Sequence, residues 1–542
     1  MNIILFTVDA LRYDCINRNP HDAFLRKYGV EVELQTDRMD EIDEEGVSFM
    51  QSISTAPNTP PSHSSLFTGL YPSKHGIRSF FHRRLPDDAN TVFEILGDAG
   101  YTSLAVGDQT LFHDVLGMTR GVDHFIHHSE GDDVVFENLA GHADEDVFLF
   151  HRFTDVHFPY FVTHSPPEEN YLKESYEEAK QLCDRFGFEF VLEEGDYNDV
   201  EAHTQQWFTI KNALTGKRGI AEVLVPAYVR GVSWFDAGRF DYYMDRLGEL
   251  GVLDDALVVL TADHGESVIR ADKVEDSVRR FDHCNANVDD LVRTPLIFHA
   301  PGRLQPTTVD AQVSIVDILP TILDIVGVEE PESGYDIQGQ SLLPVIEGEK
   351  SKGSTAYSEH AWWNDGRFDD AEGFMKRFYS EGKILDYEAL PRYRSVRTPE
   401  YRYVELGEDV TSEDLNTDTE EFVRTLYRKV RVDWPNNHQD DIQRLIGELE
   451  SGTLDRETVL DQFMQEAILS NRYALYDLET DPYEEVNLLL VDEERFGDCA
   501  ERMRSELTRI YNNTEDHVDE SLILDDVDTD EFVRNLEDLG YI

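Results

Sequence analysis

The sequence predicts an α/β fold built on a large, mostly parallel sheet flanked by helices, followed by a smaller α+β part with antiparallel strands. Three observations carry this. Apolar, β-branched runs of strand length recur at residues 2–8, 147–153 and 256–261, with a shorter one at 295–299. Unbroken apolar runs of this kind suit strands covered on both faces, the usual setting of parallel strands. Amphipathic stretches such as 91–99 and 235–250 lie between them, which gives strand–helix alternation. Near the end of the chain, residues 394–405 alternate like an antiparallel strand.

The 542 residues suffice for one large unit and a smaller one. We expect the first at 1–350, with an acid-rich, helically spaced insertion at about 166–220, and the second at 351–542, with a similar insertion at about 408–470. A Gly/Ser/Lys-containing stretch around 347–354 reads as the linker, and no internal repeat is present. Hydrophobic residues make up 40% and aromatics 11%, which places the chain among folded proteins rather than disordered ones. No run of about 18 apolar residues reads as a membrane span. The first residues enter a strand pattern directly, without a leader, so a cytoplasmic protein is the expectation.

Asp and Glu number 110 against 48 Lys and Arg, for a formal net charge of −62. The acid is spread along the chain rather than gathered in one tail. Such a charge strains a compact fold unless salt screens it, so a halophilic source is expected. It also argues against nucleic-acid partners and anionic membranes. Cys15, Cys183, Cys284 and Cys499 form no CxxC pair and read as ordinary reduced thiols.

Five stretches carry candidate chemistry. The first strand runs into Asp9, a carboxylate whose place beside a buried strand requires compensation, as a loop cap or as a metal ligand. In Ala56-Pro57-Asn58-Thr59-Pro60-Pro61-Ser62-His63, followed by Ser64-Ser65-Leu66-Phe67-Thr68-Gly69, prolines feed a helix start. Thr59 is there either a cap or a nucleophile, near N–H groups and a macrodipole that favour an anion. The strand at 256–261 delivers Asp263 and His264 side by side before Gly265, as an ordinary turn or as a ligand pair for Mg, Ca, Mn or Zn. Asp155, His157, Pro159 and Tyr160 follow another strand, and His283 precedes the strand at 295–299.

Taken in order, these stretches resemble the sulfatase family of the alkaline phosphatase superfamily, from Asn2 to about Asn487. The Ala-Pro-x-nucleophile-x-Pro-Ser signature falls on Ala56 to Ser62, followed by Leu66-Phe67-Thr68-Gly69 and by Pro72 with His75-Gly76. Asp-x-His-x-Pro-Tyr is Asp155 to Tyr160, and Ser/Thr-x-Asp-His-Gly-Glu is Thr261 to Glu266. Arg293-Thr294-Pro295-Leu296, Gln338 to Pro344, and Leu475-Tyr476-Asp477-Leu478 with Asp481-Pro482 add to the match. The resemblance implies an alkaline phosphatase-like fold and one divalent ion (Ca, Mn, Mg or Zn) held by Asp9, Thr59, Asp263 and His264. Thr59, His157, His283 and His63 form the candidate catalytic set. His157 and His283 would face the substrate as oxygen donors or leaving-group acid, while His75 and His299 fall at structural positions. The implied substrate is a small anionic sulfate, phosphate or phosphonate ester, on a sugar or a lipid headgroup.

The departures from the family bear on the chemistry. Sulfatases carry a Cys or Ser that is oxidised to formylglycine, and Thr59 cannot be converted in this way. The Arg that follows Pro-Ser is His63, the second Asp after the first strand is Ala10, and the sulfate-holding Gly-Lys-x-His becomes Gly107-Asp108-Gln109-Thr110. A Thr sulfate ester lacks the elimination route open to a hydrated aldehyde, so phosphorus esters are slightly favoured. The alternatives are a headgroup phosphotransferase of the same superfamily and a non-catalytic binding protein on this fold.

Overall fold

The structure, a computed structural model, describes residues 1–16, 34–78, 84–108, 116–160, 169–192, 200–214, 220–267, 283, 288–331, 334–349, 355–361, 392–406, 416–427, 439–469, 473–482 and 484–514. Its first sheet has nine strands: β1 (Asn2–Val8), β2 (Val47–Ile53), β3 (Thr102–Gly107), β4 (His124–His127), β5 (Val147–Phe153), β6 (Ala256–Thr261), β7 (Arg293–Thr294), β8 (Leu296–His299) and β9 (Thr307–Ser314). The order is β4-β3-β5-β1-β6-β8-β2-β7, with β9 beside β2. From β4 to β6 every pairing is parallel. β8 then pairs antiparallel with β6 and β2, and β9 lies parallel to β2.

The apolar runs explain why β1 sits at the centre. Ile4, Phe6 and Val8 pack into one core with Tyr228, Phe240 and Tyr243, whereas Ile3 and Leu5 pack on the opposite face with Phe67, Phe93 and Ile318. Both faces are covered by helices, as the continuous apolar pattern requires. The register matters more for function. Val8 lies opposite Phe153 of β5, and Thr7 opposite Thr261 of β6, so three adjacent parallel strands end together. Ligands of open α/β sheets collect at this edge.

The second sheet is antiparallel, in the order β10 (Ala356–Ala361), β11 (Arg392–Arg397), β12 (Tyr401–Leu406) and β13 (Tyr473–Asp477). The long helix Glu493–Thr514 covers it through Met503 and Leu507. The two sheets are joined by direct bonds: Glu359 N–H donates to the Thr55 carbonyl at 2.8 Å, and Gln312 Nε2 to the Arg397 carbonyl at 2.8 Å.

Some expectations need correction. Residues 394–405 are not one strand but the β11–β12 hairpin. Pro399 has no N–H to give a ladder, and Thr398 N–H closes the turn on the Tyr401 carbonyl at 2.8 Å. The helix expected at 235–250 opens with a π-helical stretch, Phe235–Phe240, before Asp241–Glu249. Thr91 lies outside the helix Val92–Asp98 as its cap, in a reciprocal capping box with Glu94. Pro295 separates β7 from β8 rather than starting a strand. Both acid-rich segments carry helices, Glu169–Phe186 and Val200–Leu214 in one, and Thr419–Leu426, Gln439–Glu450 and Arg456–Leu469 in the other. Among the described residues, no helix is long and apolar enough to cross a membrane. Cys15, Cys183 and Cys499 are free thiols, and Cys284 lies outside the described residues.

Candidate active site

Asp9 continues the ladder of β1, its N–H donating to the Phe153 carbonyl at 2.8 Å. The chain then turns sharply through Ala10, at φ 62°. Tyr228 pins that turn from the helix Ile220–Trp234: its hydroxyl donates to the Ala10 carbonyl at 2.8 Å and accepts the Arg12 N–H at 2.9 Å. The side chain of Asp9 is thereby aimed along the carboxyl edge of the sheet. One of its oxygens, Oδ2, accepts from Arg152 of β5, and Oδ1 meets no hydrogen-bond donor. Burial works against the Asp9 carboxylate, but Arg152 and the histidines around it hold it ionised well below the usual carboxylate range.

Beyond β6, Asp263 and His264 are set by the backbone. Asp263 Oδ1 accepts the His264 N–H at 2.9 Å, which leaves Oδ2 without a donor. His264 Nδ1 lies 2.9 Å from the Gly265 carbonyl and can only donate to it, while Nε2 turns towards the carboxylates. Nε2 is 3.5 Å from Asp9 Oδ1, 3.5 Å from Asp263 Oδ2 and 3.4 Å from Thr59 Oγ1. Glycine is required at 265, because a Cβ there would come within 2.1 Å of the Asp290 carbonyl oxygen.

Thr59 opens the helix Thr59–Thr68 and is buried. One expectation fails here: the helix start offers few N–H groups to an anion. Pro60 and Pro61 have none, and the Ser62 N–H is bonded to the Asn58 carbonyl at 3.3 Å. His63 lies behind Thr59. Its Nδ1 is 3.0 Å from the Thr59 carbonyl and 3.5 Å from Asp263 Oδ2, its Nε2 is 3.0 Å from Thr7 Oγ1, and its ring packs on Phe67 and Phe150. Burial pushes its pKa down.

His157 and His283 face each other beside the centre, Nε2 to Nε2 at 3.2 Å. The His283 ring also stacks on His264 at 4.5 Å, and its Nδ1 lies 3.6 Å from Glu266 Oε2. His157 Nδ1 is 2.8 Å from the Phe158 carbonyl, and burial pushes the pKa of this ring down. The fold thus gathers Asp9, Thr59, Asp263, His264, His157 and His283 in one place. Asp155 is drawn aside by Arg239 at 2.8 Å, which also binds Asp132. His75 bonds Ser65 at 3.1 Å, and His299 lies 3.7 Å from Glu45. Gln109 and Thr110 lie outside the described residues. Arg152 and its second partner Asp108 are additions to the expected set.

A divalent ion fits the donors. Asp9, Asp263 and His264 are buried and offer ligand atoms within 4.8 Å of one another. Two of these atoms, Asp9 Oδ1 and Asp263 Oδ2, are buried oxygens without a donor, which is costly unless a cation meets them.

The chain matches the sulfatase family over residues 1–328, and the C-terminal region of N-sulphoglucosamine sulphohydrolase over residues 280–433. It is 22% identical over 437 residues to a delta 4,5-hexuronate-2-O-sulfatase of Bacteroides thetaiotaomicron, covering 73% of this chain and 85% of that one. It is 21% identical over 421 residues to an arylsulfatase of Clostridium perfringens, covering 67% and 82%. The crystal structure of a phosphonate monoester hydrolase of Agrobacterium radiobacter superposes with a TM-score of 0.56 at 15% identity, over 96% of this chain and 99% of that one. The matched region exceeds half of the chain and holds every residue of the gathered site, and the protein is a member of the sulfatase family of ester hydrolases.

Proposed function

We propose that the protein hydrolyses small anionic sulfate or phosphorus esters at a centre formed by Asp9, Thr59, Asp263 and His264, with the Thr59 hydroxyl as nucleophile. One observation supports this above the rest: Thr59 Oγ1 stands 3.4 Å from His264 Nε2, beside two carboxylate oxygens that no donor satisfies. A divalent ion held there would polarise the ester and acidify the hydroxyl. The chain's own groups account for the rest of the chemistry. Thr59 Oγ loses its proton to water and bonds to the phosphorus or sulfur as the bond to the leaving oxygen breaks. His157 and His283, close enough to share one proton between their Nε2 atoms, supply it to the leaving oxygen. Water then cleaves the Thr59 ester, which restores the hydroxyl and releases the inorganic anion. His63 has a supporting part in this scheme, holding the Thr59 carbonyl from behind at 3.0 Å.

The names of the relatives favour sulfate esters. The Thr side chain favours phosphorus, because its sulfate ester has no aldehyde hydrate with which to expel the group. Turnover of aryl sulfate, aryl phosphate and aryl phosphonate esters, measured in high salt with each divalent ion, separates the two. Thr59→Ala is expected to lower kcat by about 1,000-fold or more on the preferred ester. Full activity in that variant would overturn the nucleophile, and faster sulfate than phosphorus turnover would overturn the phosphorus preference.

A further inference from the structure

Behind the turn that carries His157 lies a buried arginine, and a π-helical stretch puts it there. Of the residues in Phe235–Phe240, Phe235, Asp236, Arg239 and Phe240 are buried. Such stretches interrupt α-helices rarely, and frequently at functional sites. Phe235 and Phe240 pack on the ring of Phe153, the last residue of β5, at 5.2 and 5.9 Å, and the Arg239 guanidinium lies over the same ring at 5.3 Å. Arg239 Nε and Nη2 donate to the two oxygens of Asp132 at 3.1 and 2.8 Å, at the start of the helix Asp132–Gly141. The remaining terminal nitrogen, Nη1, donates to Asp155 Oδ2 at 2.8 Å.

Asp155 stands two residues before His157, inside a turn closed by the His157 N–H on the Thr154 carbonyl at 3.1 Å. The fork on Asp132 fixes the plane of the guanidinium, so Nη1 holds Asp155 in one place rather than over a range. The turn then sets the backbone of His157, the Phe158 carbonyl at 2.8 Å from Nδ1 sets its ring, and Nε2 meets His283 at 3.2 Å. We infer that Arg239, clamped by Asp132, is a positioning residue that aligns His157 with the leaving oxygen by holding Asp155. The inference rests on the reading of His157 and His283 as the leaving-group acid proposed above. Val156 and Phe158 are buried on either side of His157 and anchor the loop independently. Loss of the tether therefore costs alignment before it costs the fold, and a displacement of about 1 Å is worth on the order of 100-fold in rate.

The dependence of kcat on the leaving group tests it, with phenyl and para-nitrophenyl esters of whichever anion (sulfate, phosphate or phosphonate) the full-length wild type turns over fastest. A para-nitrophenolate departs with little help from an acid, whereas a phenolate needs a proton in the transition state. H157A is therefore expected to lose far more kcat on the phenyl ester than on the para-nitrophenyl ester. The charge-balanced pair R239M/D155N, its fold checked by melting temperature, is expected to repeat that pattern. Its kcat on the phenyl ester falls by about 10- to 100-fold, while kcat on the para-nitrophenyl ester and KM on both change by less than about threefold. D155N alone, whose amide oxygen still accepts from Arg239, shows the same selectivity at smaller amplitude and carries the comparison should the pair not fold. Equal losses on the two esters would make Arg239 a support of the fold only, and unchanged kcat on both would mean that the turn needs no tether. Either result, with selectivity kept in H157A, overturns the role of Arg239 and leaves the acid standing. Equal losses in H157A itself overturn the acid and this inference together.

Discussion

Asp236 is the second residue of the π-helical stretch Phe235–Phe240 and accepts the backbone N–H groups of Met39 at 2.8 Å and Arg38 at 3.0 Å, at the start of the helix Asp37–Glu45. Those two bonds favour the ionised form. Burial outweighs them, with Asp40 and Asp37 adding to the cost, and the pKa is pushed up to about 7. The sign of the consequence is opposite to that of a salt-bridged carboxylate. Between the ordinary value of 3.8 and about 7 the folded chain holds a proton that the unfolded chain has lost, so stability contributed here falls as pH rises. Asp236→Asn removes the titration. The difference in unfolding free energy between wild type and variant, followed by urea denaturation, should therefore drift against the wild type from pH 4 to 7 and then level off. A difference independent of pH would show that the carboxylate is ionised throughout. The same residue-level logic says why the centre was partly legible in the sequence. Asp9, Asp263 and His264 follow strands directly, and a polar group at the end of an apolar run is visible in one dimension. Arg152 is hidden because it lies inside such a run, and only its partners on two neighbouring strands give the charge a meaning. His63 stands in the candidate catalytic set by its place after Pro-Ser, and its packing on Phe67 and Phe150 suits a supporting part.

β1, β5 and β6 were readable to the residue, because a strand buried on both faces has nothing but apolar residues to show. β2, β3, β9 and β13 were not anticipated. β2 carries Ser48, Gln51 and Ser52, and its polar groups find partners only in the fold, as when Ser48 Oγ meets Asp43 and Ser52 Oγ meets Thr294 Oγ1 at 3.4 Å. The same holds where the two sheets meet. Asp289, in the short helix Asp289–Val292, receives Arg397 of β11 at 2.7 Å, and its N–H donates to Glu484 Oε2 at 3.1 Å. Glu484 in turn binds Arg402 of β12. Burial works against the Asp289 carboxylate, and Arg397 with Arg293 holds it below its ordinary value. Removing one member leaves the others charged and out of water. Arg397→Met is expected to cost about 3–5 kcal/mol of unfolding free energy, and the double variant with Asp289→Asn clearly less than the sum of the two singles. Strict additivity in that cycle would mean that the two sheets are held together elsewhere.

With a net charge of −62, most of the acid has no partner of opposite sign, and its effect is a property of the whole surface. The exposed pairs that do exist, such as Arg38 with Glu41, Arg84 with Asp87 and Arg424 with Glu420, sit at solvent and contribute little each. Salt therefore removes little attraction and much repulsion. The Debye length shortens from about 10 Å at 0.1 M to about 3 Å at 1 M, which isolates each carboxylate from all but its nearest neighbours. The melting temperature should rise steadily as KCl is increased over that range, with most of the gain by about 1 M. An equal osmolarity of sucrose serves as the control, because it acts by exclusion from the surface and not by screening. The same field acts on the substrate. An anionic ester approaching a strongly negative protein is repelled until salt shortens the reach of the charge, so kcat/KM should climb with KCl while kcat, set inside a buried centre, changes much less. Parallel changes in both would locate the salt effect in the chemistry. A fall in kcat/KM would mean that the approach to Thr59 is locally positive, and that the acid spread over the rest of the chain does not govern encounter.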